Sequence, residues 1–265
     1  IWVASMTKAV TGAAAMQLVE RGKLRLDGPA SEIVSELATK GVLEGFDSSG
    51  KAITRKPKRP ITLRHLLTHT SGVDGDLFVD TGRGDDCLEK YVALLADAAV
   101  IHPLGATMSY CNAAYVLLGR VLEVVTGVQG DEVMRERLFR PLGLTHTVTL
   151  PEEALPHRTA VGHESQHGEA PKVVPRWGLV RSSGPAGAIC STPREVLTFA
   201  KLHLNGGATA EGAKILSPES GAAVQGGQVE LPGQCPGPRG GPGRRAGGGG
   251  GQPGNRRAAW AVGAA

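Results

Sequence analysis

Ile1-Trp2-Val3-Ala4-Ser5-Met6-Thr7-Lys8-Ala9-Val10-Thr11-Gly12-Ala13-Ala14-Ala15-Met16-Gln17-Leu18-Val19-Glu20-Arg21 opens the chain and decides how the rest is read. From Ser5 onward the spacing predicts a helix. Apolar side chains recur at Val10, Ala14 and Leu18, and at Ala13, Met16 and Val19, which fits a 3.6-residue period. Gly22 follows as a C′ glycine. Ser5 and Lys8 are three apart, so a helix sets them on one face, one turn from each other. A serine hydroxyl attacks well only when a neighbouring base takes its proton. A helix N-terminus adds unpaired N–H groups and partial positive charge, which favour a developing anion. The stretch therefore fits acyl transfer. The same spacing also fits an N-cap serine beside a solvated lysine, so the remaining chain has to decide.

A second dense stretch is Ile61-Thr62-Leu63-Arg64-His65-Leu66-Leu67-Thr68-His69-Thr70-Ser71-Gly72. Thr62 is placed to cap a short helix and Gly72 to end the turn after it. His65 and His69 are four apart, a zinc spacing, but Leu66 stands where a His-Glu-x-x-His site needs its glutamate. They read as structural histidines packing a turn, and His163 and His167 repeat the spacing in a loop-like region. No metal is expected. A third stretch, Tyr110-Cys111-Asn112, precedes a helix that runs through Val121, Leu122 and Val125 and stops at Gly127. Cys111 reads as a small packed residue and not as a nucleophile, since no histidine partner is implied. In isolation, Tyr110 reads as a buried ring with a satisfied hydroxyl.

Elsewhere, residues 45–60 are polar, basic and glycine-containing and read as a loop. Residues 85–100 read as an amphipathic helix through Leu88, Tyr91, Val92, Leu95 and Ala99. Residues 133–144 read as a helix end and a turn, and 150–185 as loops with short strands. Thr192-Pro193-Arg194-Glu195 has the pattern of a capping box opening a helix that ends at Asn205-Gly206-Gly207.

The 265 residues are 41% hydrophobic, enough for a packed core, in one large or two small domains. No apolar run approaches the ~18 residues of a membrane helix, and no signal peptide is visible. None of the four cysteines forms a Cys-x-x-Cys pair. The net charge of +4 hides an asymmetry. Arg239, Arg244, Arg245, Arg256 and Arg257 fall in 233–265 with no acidic residue, leaving about −1 for residues 1–232. The body is near neutral, so its chemistry is read without assuming a polyanionic partner. The tail lacks the interleaved aromatics of a nucleic-acid segment, apart from Trp260, so no nucleic-acid partner is expected.

Taken together, these stretches resemble the serine β-lactamase and penicillin-binding-protein superfamily, most closely class C β-lactamases and related esterases. Ser-x-x-Lys is one of that superfamily's motifs. The residues that carry the likeness are Ser5 to Lys8, 17–27, 61–72, Tyr110-Cys111-Asn112, 137–144 and 187–192. The resemblance implies an α/β (α+β) fold of β-lactamase/transpeptidase type, with a mostly helical lobe packed on an antiparallel sheet. It implies Ser5 as nucleophile, Lys8 and Tyr110 as the proton-transferring groups, and Asn112 as a substrate contact. Free tyrosine titrates near pH ~10, so Tyr110 acting as a base requires positive charge beside it. No metal or organic cofactor is implied. The substrate is a small-molecule ester or amide: a β-lactam, a D-alanyl peptide or a small ester. Members are often extracytoplasmic, and the chain's compartment stays open.

The likeness reads as ending near Leu231. Residues 1–232 are expected to form a partial hydrolase domain. Residues 233–265 are expected to be a disordered tail or the product of an out-of-frame reading of a GC-rich gene. The superfamily's third motif, Lys-Thr-Gly or a His-containing equivalent on a strand, is not found. The chain reads as truncated at both ends, with much of the antiparallel sheet missing. Two functional readings follow: a serine hydrolase working through an acyl-enzyme on Ser5, and a catalytically inactive remnant of one.

Overall fold

A computed structural model describes residues 1–74, 77–96, 98–165, 168–175, 177–230 and 257–258. The first helix, α1, is Thr7–Glu20, preceded by a 3-10 turn at Ala4–Met6. It is buried on nearly every side from Thr7 to Leu18, so it runs through the middle of the core rather than along the surface. Its end is a full Schellman motif. Gly22 sits at φ +66°, its N–H bonds the Val19 carbonyl, and the Lys23 N–H bonds the Leu18 carbonyl, both at 2.9 Å.

Next comes a hairpin, β1 (Val42–Phe46) and β2 (Ala52–Arg55), antiparallel with a register shift between Leu43 and Gly45. This corrects the loop expected over 45–60. The hairpin's turn is set by Asp47, whose Oδ1 accepts from the Ser49 and Lys51 N–H groups at 2.8 and 2.9 Å. The short helix α2 (Leu63–Leu67) has the expected Thr62 cap, in a reciprocal form. Thr62 Oγ1 accepts from the His65 N–H at 3.3 Å, and His65 Nδ1 accepts from the Thr62 N–H at 3.1 Å. Helix α3 (Cys87–Leu94) is shorter than the expected 85–100. Val100 instead bridges to Val42 and to Val73, and those extended pairings stop the helix.

Helix α4 (Asn112–Thr126) buries large side chains, including Tyr115, Leu117, Leu118, Val121 and Leu122, and ends at Gly127 in a left-handed conformation. Helix α5 (Gly130–Met134) continues into a π-helical turn, Arg135–Phe139. Short pieces follow: α6 (Pro151–Ala154), the antiparallel pair β3 (His163–Glu164) and β4 (Lys172–Val173), and α7 (Gly184–Gly187). His167 lies outside the described residues, so its pairing with His163 does too.

Helix α8 (Pro193–Leu204) starts at the expected Thr192 cap, which accepts from the Glu195 N–H at 3.2 Å. The capping box is only half made: the Glu195 carboxylate turns away to His146 and Thr147. The last elements are α9 (Pro218–Gln225) and the antiparallel pair β5 (Val229–Glu230) and β6 (Arg257–Ala258). Apart from β6, the tail expected over 233–265, Cys235 and the boundary at 232 lie outside the described residues. The described architecture is thus mostly helical with small antiparallel pairs. Among the described residues no helix is long and apolar enough to cross a membrane.

Candidate active site

Lys8 is on the first turn of α1 and is fully buried. Burying an amine is costly unless its polar groups are met, and three oxygens meet this one. Nζ lies 3.1 Å from Ser5 Oγ, 2.7 Å from Asn112 Oδ1 and 2.8 Å from the Ala186 carbonyl oxygen. The Tyr110 ring lies alongside, its centroid 4.8 Å from Nζ. All four residues singled out in the sequence are therefore within one small volume, drawn from the 3-10 turn before α1, α1, the loop before α4, and α4 itself. The Ala186 carbonyl, on α7, was not visible in the sequence as a partner.

Ser5 does not sit on α1 proper but on the 3-10 turn before it. That turn is held by a short extended ladder. The Val3 N–H bonds the Ile189 carbonyl at 2.9 Å, and the Ile1 amine and carbonyl both bond Ser191 at 2.8 Å. Cys190 in turn exchanges two backbone bonds with Val148. Between ladder and helix the backbone turns sharply at Ala4, where φ is +46°. A residue with a Cβ is strained there, and such strain persists only where the surroundings fix it. The side chain of Ser5 is left exposed.

The Tyr110-Cys111-Asn112 loop is fixed from behind. Cys111 is the N-cap of α4: its Sγ accepts from the Ala114 N–H and donates to the Val73 carbonyl, both at 3.2 Å. Cys111 is thus the small packed residue expected, with a capping role added. His69 backs the same loop. Its Nδ1 accepts from the Cys111 N–H at 3.0 Å, and its ring stacks on Tyr110 with centroids 4.5 Å apart. Burial and the neighbouring Lys8 charge push the His69 pKa down to about 4. His65, whose Nδ1 is taken up in the cap of α2, is lowered to about 4 by burial and by Arg59. The sequence placed His69 in a turn but carried no signal for its contact with residues some forty positions later.

Ser5 opens onto two cavities. One, of about 460 Å³, is shared with Tyr110 and walled mainly by apolar side chains such as Val10, Phe139, Ile189 and Phe199. The other, of about 480 Å³, is shared with Asn112 and bounded by Trp2, Phe78 and Leu179. At the edge of the first, the buried Glu195 carboxylate accepts from Thr147 Oγ1 at 2.5 Å and from the His146 N–H at 2.9 Å. An amine against a serine hydroxyl, with the Tyr110 ring beside the amine, is chemically suited to moving the serine proton.

Comparison with known proteins bears on the family and the fold. The family model "Beta-lactamase" matches residues 2–262, extending past Leu231, where the sequence reading had ended the likeness. Penicillin-binding protein 4 of Amycolatopsis lactamdurans is 40% identical over 222 residues, which is 83% of this chain and 55% of that protein. Lovastatin esterase of Penicillium rubens is 37% identical over 165 residues, 57% of this chain and 40% of that protein. The chain thus spans about half the length of the curated relatives it matches. Among solved structures, simvastatin synthase from Aspergillus terreus superposes with a TM-score of 0.68 at 26% identity, over 86% of this chain and 58% of that one. An octameric penicillin-binding protein homologue from Pyrococcus abyssi shares the fold, with a TM-score of 0.68 at 23% identity, over 88% of this chain and 50% of that one. The relatives' names cover hydrolysis and acyl transfer, and the fold is of β-lactamase/transpeptidase type. The chain belongs to the beta-lactamase family of serine hydrolases and acyltransferases.

Proposed function

We propose that this chain carries the acylation machinery of a serine hydrolase, with Ser5 as nucleophile, Lys8 and Tyr110 as proton carriers and Asn112 as a substrate contact. The observation that carries the reading is the buried Lys8 amine, 3.1 Å from Ser5 Oγ and 2.7 Å from Asn112 Oδ1. Either protonation state of Lys8 satisfies these oxygens. An ammonium donates to all three. A neutral amine donates to Asn112 and Ala186 and takes the Ser5 proton on its lone pair. The cycle then follows. Ser5 Oγ attacks the substrate carbonyl carbon as its proton passes to Lys8 or Tyr110. That proton is returned to the leaving alcohol or amine as the acyl–oxygen or acyl–nitrogen bond breaks. Water, deprotonated by the same groups, then cleaves the acyl–Ser5 ester. The Ser5 N–H, at the N-terminal end of the turn and helix, supplies one donor to the oxyanion.

The substrate is an ester or amide of β-lactam, D-alanyl peptide or small-ester type. The apolar walls on both sides of Ser5 and the esterase among the relatives support trying small esters first. A second reading is a catalytically inactive remnant of such an enzyme. Turnover of p-nitrophenyl acetate and butyrate, nitrocefin and a D-alanyl-D-alanine peptide tests both. Hydrolysis of any of them that is lost in Ser5→Ala supports the first reading. Hydrolysis at equal rate in Ser5→Ala sinks it, and no hydrolysis by folded protein favours the second.

A further inference from the structure

His69 is buried, takes no part in either cavity at Ser5, and yet makes three contacts with the loop that carries Tyr110. Its carbonyl accepts from the Ser109 N–H at 2.8 Å. Its Nδ1 accepts from the Cys111 N–H at 3.0 Å. Its ring stacks on the Tyr110 ring, 4.5 Å between centroids and 25° between planes. The residues before and after Tyr110, and Tyr110 itself, are thus all held by one side chain and its own backbone. His69 reaches this place only by adopting φ +57°, a left-handed conformation that residues with a Cβ rarely take. Strain of this kind clusters where a structure over-determines a functional geometry.

The contacts also fix the chemistry of the ring. An Nδ1 that accepts a backbone hydrogen bond requires the neutral imidazole protonated on Nε2. The titratable groups facing it are Lys8 from α1, Tyr110 from the loop, and Tyr115 from α4, whose ring centroid is 5.2 Å away. Protonating Nδ1 would break the Cys111 bond and set a second cation beside Lys8.

Resting on the reading of Ser5, Lys8 and Tyr110 as acylation machinery, we propose that His69 is the positioning residue that sets the Tyr110 ring beside Lys8. It acts by stacking and through the Cys111 N–H, without touching substrate. Proton transfer is sensitive to such placement: a shift of about 1 Å in a reacting group costs on the order of 10²-fold in rate.

The test uses the chain labelled with 3-fluorotyrosine. It has three tyrosines, and Tyr91, hydrogen-bonded to the Leu77 carbonyl, is the internal control for folding. His69→Asn tolerates the left-handed backbone and keeps an acceptor near the Nδ1 position but has no aromatic ring. His69→Phe keeps a ring and loses the acceptor. In each variant with a native Tyr91 resonance, the Tyr110 fluorine resonance is expected to move. Ser5 phosphonylation by a fluorophosphonate, in which Oγ displaces fluoride from phosphorus, is expected to slow by about 10²-fold, in the maximal rate and not in the reagent concentration giving half of it. A Tyr110 resonance and an acylation rate both as in the wild type would overturn the proposal. If neither variant folds, the wild-type chain decides. Its Tyr110 resonance should shift on acidification with a midpoint near 4 while Tyr91 stays native, and a static Tyr110 signal contradicts the proposal. If the wild type gives no Ser5-dependent adduct, the acylation reading fails by itself. The fluorine shifts then still report whether His69 sets Tyr110.

Discussion

Lys8 is the residue on which the account turns, and its burial makes a sharp prediction. Lys8→Met keeps the length and the apolar stem while removing the amine. It also takes a donor from the Asn112 Oδ1 and the Ala186 carbonyl, and a buried acceptor that loses its donor costs about 1–3 kcal/mol. The variant should therefore melt below the wild type while still folding, and Ser5 acylation should slow by about 10²–10⁴-fold, the usual scale of general-base catalysis. Stopped-time labelling beside a thermal scan measures both, and an unchanged labelling rate would count against Lys8. The histidines make a second prediction, with a definite sign. His65 and His69 titrate at about 4 when folded, against about 6.5 in an unfolded chain. Between those values the unfolded chain binds more protons. Stability is thus full above pH ~6.5 and falls as the pH drops towards ~4. Urea midpoints at pH 7.5 and 5.0 should show the loss, and a midpoint that is flat or higher at pH 5.0 would contradict it. At this scale the sequence was informative where spacing is local, as for Ser5 and Lys8 on consecutive turns. The Ala186 carbonyl under Lys8 and the stacking of His69 on Tyr110 join residues far apart in sequence, and no local pattern encodes them.

Between elements, the closest constraint is at Gly119, in the middle of α4. A Cβ there would lie 2.2 Å from Pro185 Cγ and 2.7 Å from Pro185 Cβ. The proline ring cannot rotate away, and α7 carries both the Ala186 carbonyl bonded to Lys8 and the Pro185 carbonyl bonded to Thr11. Gly119→Ala gains about 1 kcal/mol of helix propensity, but overpacking typically costs about 1–3 kcal/mol. The clash is expected to win, so the variant should be less stable than the wild type by chemical denaturation and slower in Ser5 acylation. Equal or greater stability would show that α7 moves freely. Helix ends were the most legible elements. The Gly22 terminus and the Thr62 and Thr192 caps are side-chain and backbone chemistry written within a few residues. The β1–β2 hairpin was missed because its strands carry Glu44, Thr54 and Arg55 with little alternation, and its turn is specified by Asp47 rather than by an Asn-Gly or Asp-Gly pair. Helix α3 was drawn too long because the pull of Val100 into bridges with Val42 and Val73 is a tertiary effect.

Across the whole molecule, α1 is sheathed by α4, α7 and α5, and the family's helical lobe is recognisable in the match at TM-scores near 0.68. One side is less well covered. Met6 is exposed in the wall of the apolar cavity between the start of α1 and α8, and Leu197 and Leu204 are exposed on α8. An open cavity with apolar walls attracts hydrophobic probes. A naphthalene-sulfonate dye should fluoresce with folded protein at pH 7.5, and Val196→Glu, which sets a charge in the cavity wall, should reduce the signal; an undiminished signal would place the dye elsewhere. The central claim, however, is that burial and three oxygen partners at Lys8 activate Ser5. Intact-mass analysis after exposure to a fluorophosphonate, with wild type, Ser5→Ala and Lys8→Met side by side, tests it most directly. The account predicts a single adduct on the wild type, none on Ser5→Ala and a much slower one on Lys8→Met. An adduct that persists in Ser5→Ala, or a folded wild type that stays unlabelled, would contradict it.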